Sequence, residues 1–221
     1  MSRWVVVDDT DPGLTYIGPW FQDIGTLNSL GNYGPPHFNT LHGTNSNASF
    51  SYSFHGKYKR LQSLLNHSQK PKLIIGSIVR ITGTNQWINP TGVINPSWQC
   101  AVDGVSLPPT TLNPSTPENR LLYCEKDGLS DGPHLITVNA TVSNQTFWFD
   151  YIQYLPSSSA SLDQASFFIE AGDSQFKYGT GWSPIFPGNM TEQVGSTFSF
   201  KFNGNFIYAF LAIFRLLLCY R

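Results

Sequence analysis

Along residues 48–55 apolar and small polar side chains alternate, with Phe50, Tyr52 and Phe54 on one parity and Ser49, Ser51 and Ser53 on the other. That period of two belongs to a strand with one buried face. Short runs of strand type recur at 4–8, 77–83, 98–103 and 120–124. The runs at 134–142 and 146–154 are separated by Ser143, Asn144 and Gln145, which predicts a β-hairpin. Gly, Pro and Asn punctuate the intervals, and almost no stretch carries a helical period. The pattern predicts an all-β chain folded as a two-sheet sandwich of jelly-roll type.

Part of this pattern occurs twice. Residues 5–20 align without a gap on 167–182, placing Asp8 on Glu170, Asp11 on Asp173, Leu14 on Phe176, Tyr16 on Tyr178 and Trp20 on Trp182. A second block at 49–56 answers 197–204. Repetition at such spacing marks one module followed by the opening of another. The expected organisation is a complete module over 1–156, a Ser-rich linker over 157–164, the start of a second module over 165–204 and an apolar tail over 205–221.

Two segments break the alternation, and each begins just after a matched glycine, Gly56 or Gly204. Residues 57–75 are basic and non-alternating; residues 205–221 are strongly apolar. We read both as intron sequence translated in frame, with a surface loop as the other reading of 57–75. The tail is too short to span a bilayer, which takes about 20 apolar residues, and Arg215 interrupts it. An incomplete second module with such a tail is expected to expose open edges and apolar surface.

Composition narrows the function classes. Charged residues make up 12% of the 221 and the formal net charge is −1, which offers no electrostatic footprint for nucleic acid or an anionic membrane. Sequons for N-glycosylation stand at Asn47, Asn66, Asn139, Asn144 and Asn189. They predict a glycoprotein at the cell surface or outside the cell, although the opening residues lack the pattern of a signal peptide. Cys100 and Cys124 are either a disulfide, worth about 3 kcal/mol for a loop of this size, or two buried thiols.

The stretches 8–20, 42–56, 76–84, 100–104, 131–140 and 147–154 together resemble a fungal family. It comprises basidiomycete cell-surface proteins with two tandem galactose-binding-like β-sandwich modules. Such proteins continue into a stalk and one transmembrane helix, so the resemblance implies a surface location and a truncated form here. It names no ligand and no activity. By the same likeness a structural Ca²⁺ would sit near the first and last strands and involve Asp150.

Candidate chemistry follows from residue types. Sugar-binding sandwiches stack aromatic faces on pyranose rings and fix hydroxyls with a few polar groups. Trp87, flanked by Asn85, Gln86 and Asn89, fits that need; Tyr33 and Trp98 are further candidates on expected loops. Asp8, Asp9 and Asp11 are hard oxygen ligands of the kind Ca²⁺ takes, or else turn aspartates bonded to their own backbone. A glycoside hydrolase needs two carboxylates facing each other across a cleft, and the local acidic run does not supply both sides. No nucleophile context surrounds His37, His42, His55 or His134. The expectation is a non-catalytic surface module that binds glycan or another surface partner without a cofactor, the alternative being a glycosylated structural spacer.

Overall fold

The structure is a computed structural model that describes residues 3–56, 77–86, 96–108, 116–157, 160, 162–163, 165–169, 171–185 and 188–201. The segments 57–75 and 205–221 and the candidates Asn66, Trp87 and Asn89 lie outside the described residues. The chain divides into two compact units, Ser2–Phe168 and Ile169–Arg221.

In the first unit the elements are β1 (Trp4–Asp8), β2 (Thr15–Ile17), β3 (Trp20–Ile24), β4 (Thr40–Thr44), β5 (Ala48–Gly56), β6 (Ser77–Asn85), β7 (Ser97–Val102), β8 (Val105–Ser106), β9 (Glu118–Leu129), β10 (Gly132–Thr141), β11 (Phe147–Tyr154) and β12 (Ser166–Phe168). One sheet runs β12, β1, β11, β4, β3, with β6 on the far side of β11 and β9 beyond it. The other runs β2, β5, β10, β7, β8, and every pairing is antiparallel. Among the described residues there is no α-helix, and no helix is long and apolar enough to cross a membrane.

The two sheets close on a core that the period of two selects. Phe50 and Phe54 of β5 and Ile136 and Val138 of β10 meet Val5, Val7, Ile81, Phe147, Phe149 and Ile152 from the opposite sheet. Each such side chain stabilises the fold by about 1.5–3 kcal/mol on leaving water. Cys100 of β7 and Cys124 of β9 form a disulfide, with Cα atoms 6.5 Å apart, so the staple joins the two sheets through the core.

β11 is covered on both faces. Phe147 and Phe149 point into the sandwich, whereas Trp148 turns outward and packs with Leu27 and Leu41. Gly43 stands opposite Trp148 in the ladder, and a side chain there would run into the indole. The ring of Phe21 meets Trp148 edge-on at 5.3 Å.

The first unit runs past the linker expected at 157–164, because β12 pairs with β1. The start of that stretch is tied down as well. The Ser157 N–H donates to the His55 carbonyl at 2.8 Å and its hydroxyl to Asp131 at 2.6 Å.

The second unit holds β13 (Lys177–Tyr178) paired with β16 (Phe198–Ser199), and β14 (Trp182–Ile185) paired with β15 (Gly188–Thr191). Its local geometry parallels the first unit at the positions the sequence aligns. The Tyr16 hydroxyl donates to the Asp9 carbonyl at 2.6 Å, and the Tyr178 hydroxyl to the Ala171 carbonyl at 2.9 Å. The Gly13 N–H donates to Asp11 at 2.7 Å, and the Gln175 N–H to Asp173 at 2.9 Å. Trp20 meets Phe50 edge-on at 5.9 Å, and Trp182 meets Phe198 likewise at 5.8 Å.

Candidate binding surface

The loop between β3 and η1, the short 3₁₀ turn His37–Asn39, crosses toward the start of β9 and is held there by three consecutive side chains. The Glu118 carboxylate accepts the Asn32 N–H at 2.7 Å and the Asn32 side-chain amide at 3.1 Å. The Asn119 amide donates to the carbonyls of Leu27 at 2.9 Å and Leu30 at 3.0 Å. Arg120 Nε donates to the Pro35 carbonyl at 2.7 Å. In a regular strand, neighbours point to opposite faces and could not all reach one loop. Here the ladder pairs Gly83 with Leu121 but Asn85 with Glu118, so β9 carries an extra residue. Arg120 adopts φ 57°, the left-handed conformation of a bulge, and the bulge re-aims the side chains on either side of it.

Glu118 is itself buried. Burial alone would push its carboxyl up, but the donors from Asn32, Tyr33 and Thr116 outweigh that and hold it below the usual carboxylate range. Gly31 passes so close to Glu118 that a side chain would collide with it, and its φ of 72° also favours glycine. The loop is thus fixed at residues 27, 30, 31, 32 and 35. Tyr33 stands among these anchors with 62% of its surface exposed. An aromatic ring presented by an ordered backbone can stack on a ligand at little conformational cost.

The other sequence candidates divide. Asn85 ends β6 opposite Glu118, next to the anchored loop. Gln86 accepts the Trp148 indole N–H at 3.1 Å, which ties it to the outer face of β11. Trp98 is a correction, since it lies on β7 rather than on a loop and its ring is spent on packing. It stacks on Tyr123 at 4.2 Å, and its Nε1 donates to the Tyr123 carbonyl at 3.1 Å.

Of the four aspartates, Asp9 and Asp150 are buried and Asp8 and Asp11 half-buried, near where β1 ends and β4 takes over as the neighbour of β11. Asp9 is fully buried and accepts from the Thr40 hydroxyl at 2.6 Å, while its other oxygen meets His42 Nδ1 at 2.7 Å. Asp150 accepts the His37 N–H at 2.8 Å on one oxygen, and its second oxygen is buried without a hydrogen-bond partner among the described residues. Burial pushes the Asp150 carboxyl well above its ordinary value. Burial likewise raises Asp8 to about 6, helped by the charges of Asp9 and Asp11 and opposed by Thr10. Asp11 accepts the Gly13 N–H as a turn aspartate does. Among the described residues no three His, Cys, Asp or Glu gather to hold a metal ion, and the oxygens of Asp9 are committed to Thr40 and His42. Asp8 Oδ1, like Asp150 Oδ2, is buried with no hydrogen-bond partner among the described residues.

Of the glycosylation candidates, Asn47, Asn139 and Asn144 are exposed and Asn189 is half-buried. Asn47 also accepts the Val142 N–H at 2.9 Å, linking the turn before β5 to the turn before β11. A hollow of about 520 Å³ in the second unit is lined by Gly181, Ser183, Met190, Glu192 and Gln193 and offers no aromatic face.

Reasoning from sequence missed Glu118, Asn119, Arg120 and the Asp9 partners Thr40 and His42. Nothing in 118–120 except three polar residues opening an apolar run could have drawn attention to them. No protein-family model matches the chain, and no curated protein does.

Proposed function

We propose that the first unit is a non-catalytic binding module of a cell-surface glycoprotein, that its ligand is a carbohydrate, and that Tyr33 on the anchored loop is its stacking face. The observation that carries this reading is the combination of a highly exposed aromatic ring with backbone anchors on both sides of it. Sugar recognition needs a fixed aromatic plane with amide and carboxylate groups close by. Asn32, Asn85 and Glu118 supply such groups near Tyr33, although Glu118 is already engaged in holding the loop. Trp87, one residue beyond Gln86 in the sequence, remains the second stacking candidate. The resemblance to basidiomycete surface proteins supports the surface location and the galactose-binding-like, jelly-roll type of the sandwich. The hydrogen bonds and ring pairs shared by 9–20 and 171–182 support residues 165–204 as the opening of a second module.

A structural spacer is the second reading, favoured by Trp98, Trp20 and Trp148 all being taken up in packing. A glycan array of the full chain, with Tyr33→Ala and Trp87→Ala in parallel, separates the two. Binding to a defined sugar that falls at least tenfold in Tyr33→Ala at unchanged melting temperature supports the module. Loss in Trp87→Ala alone moves the site to that residue, and a folded chain that binds no glycan leaves the spacer.

A further inference from the structure

The outer edge of β1 is filled by a strand from the chain's own repeat. The pairing sets Trp4 against Phe168, Val5 against Phe167 and Val6 against Ser166. In the sequence alignment Val5 is the counterpart of Phe167, so 166–168 is the counterpart of 4–6. Residue 5 therefore lies opposite its own counterpart, and residue 4 opposite the counterpart of residue 6. Residue 6 in turn lies opposite the counterpart of residue 4. An antiparallel pairing of a strand with its own copy is the self-complementary arrangement of an isologous interface, and in this register its twofold axis passes through residue 5.

The edge itself is built for pairing. Trp4, Val5, Val6 and Val7 are all buried, and the strand carries no Pro, Lys or bulge of the kind that blunts a free edge. Its only charged residue, Asp8, stands beyond the three rungs that β12 uses. What β12 brings is backbone and two phenylalanines, Phe167 and Phe168, both still more than a third exposed. Backbone hydrogen bonds thus dominate the recognition, and β1 of another copy offers the same backbone with the apolar side chains Trp4, Val5 and Val6.

We propose that the outer edge of β1 is a self-recognition edge whose partner is the first strand of another copy of the module. In this chain the copy at 166–168 fills it in cis. Once that strand is displaced, β1 of a second chain takes its place, with Val5 opposite Val5 and Trp4 opposite Val6.

Phe167→Pro in the full chain tests this, because proline at the centre of a three-residue strand weakens its pairing. The expected result is a doubling of mass relative to wild type by light scattering, with wild-type circular dichroism. The amides among Trp4–Val6 that point away from β11 should stay protected from hydrogen exchange in the dimer and lose that protection on dilution. A folded variant of unchanged mass with these outward amides open overturns the proposal. So does a dimer in which those amides are open, since it then pairs elsewhere. Should Phe167→Pro fail to fold, Phe167→Ser with an excess of a synthetic peptide of residues 3–8 gives the same reading. Protection of the outward Trp4–Val6 amides together with release of 166–168 supports the edge, and no change in either overturns it.

Discussion

His134 shows how much one side chain's surroundings decide. Its Nδ1 meets Asp103 Oδ2 at 2.7 Å and its Nε2 meets the Ser130 carbonyl at 3.0 Å, so both ring nitrogens face acceptors and the geometry calls for the imidazolium. Burial lowers its pKa, but the Ser130 carbonyl and the Asp103 carboxylate outweigh burial and raise it overall. Asp103 moves the opposite way, since the Leu135 N–H and His134 overcome its own desolvation. A raised folded value means that the stabilisation is complete below the unfolded pKa of about 6.5 and is lost as pH rises through the folded value. The melting temperature should therefore fall across that window, and His134→Gln should flatten the slope there in a pH series of thermal melts. Asp150 carries the same sense, because its carboxyl is also raised, here by burial that the His37 N–H and the charge of Arg120 offset only in part. Between the unfolded carboxylate pKa of about 3.9 and the folded value the native state holds the extra proton, so stability declines as pH rises. Asp150→Asn keeps an acceptor for the His37 N–H and removes the buried charge. It should raise stability at pH 7 by about 1–3 kcal/mol in urea unfolding.

At the scale of elements, the bulge in β9 links sequence to the proposed site. Glu118, Asn119 and Arg120 reach the 25–36 loop together because Arg120 leaves the extended conformation, and Asn119 is steadied from below by the Thr84 hydroxyl at 2.8 Å. Glu118→Ala removes the acceptor for Asn32, Tyr33 and Thr116 at once. It should destabilise the fold by about 1–3 kcal/mol, the cost of leaving such donors unpaired. Amide exchange at 31–34 should quicken while the β5 and β10 amides stay protected. Equal acceleration everywhere would show that Glu118 supports the whole sandwich rather than the loop. The strand runs at 4–8, 48–55, 77–83 and 98–103 were legible because alternation is written locally, and each lies within a residue or two of an observed strand end. β2, β3 and β4 were not, since they are short and their burial comes from the loop and the opposite sheet. Trp98 stands at the edge of the 98–103 run beside Pro96 and Ser97, so it reads both as strand end and as loop residue; it belongs to β7 and stacks on Tyr123, 25 residues away in sequence.

For the whole molecule, the Cys100–Cys124 bond is the covalent tie between the two sheets. The double replacement Cys100→Ala with Cys124→Ala should lower the stability of the first unit by about 3 kcal/mol, and reductant should lower the wild-type melting temperature in the same direction. An unchanged melting temperature would mean that the sheets are held by the aromatic core alone. The sequence by itself determined the all-β class, the span of the main strands and the internal repeat. These rest on period-two alternation and turn residues, which act between near neighbours. Only the tertiary structure decided that Trp148 faces outward under Leu27 and Leu41, that Glu118–Arg120 anchor the loop bearing Tyr33, and that 166–168 closes the edge of β1. Each depends on which strand lies beside which and in what register. Alternation says that a side chain faces one side of a strand, but it carries no information about what stands on that side.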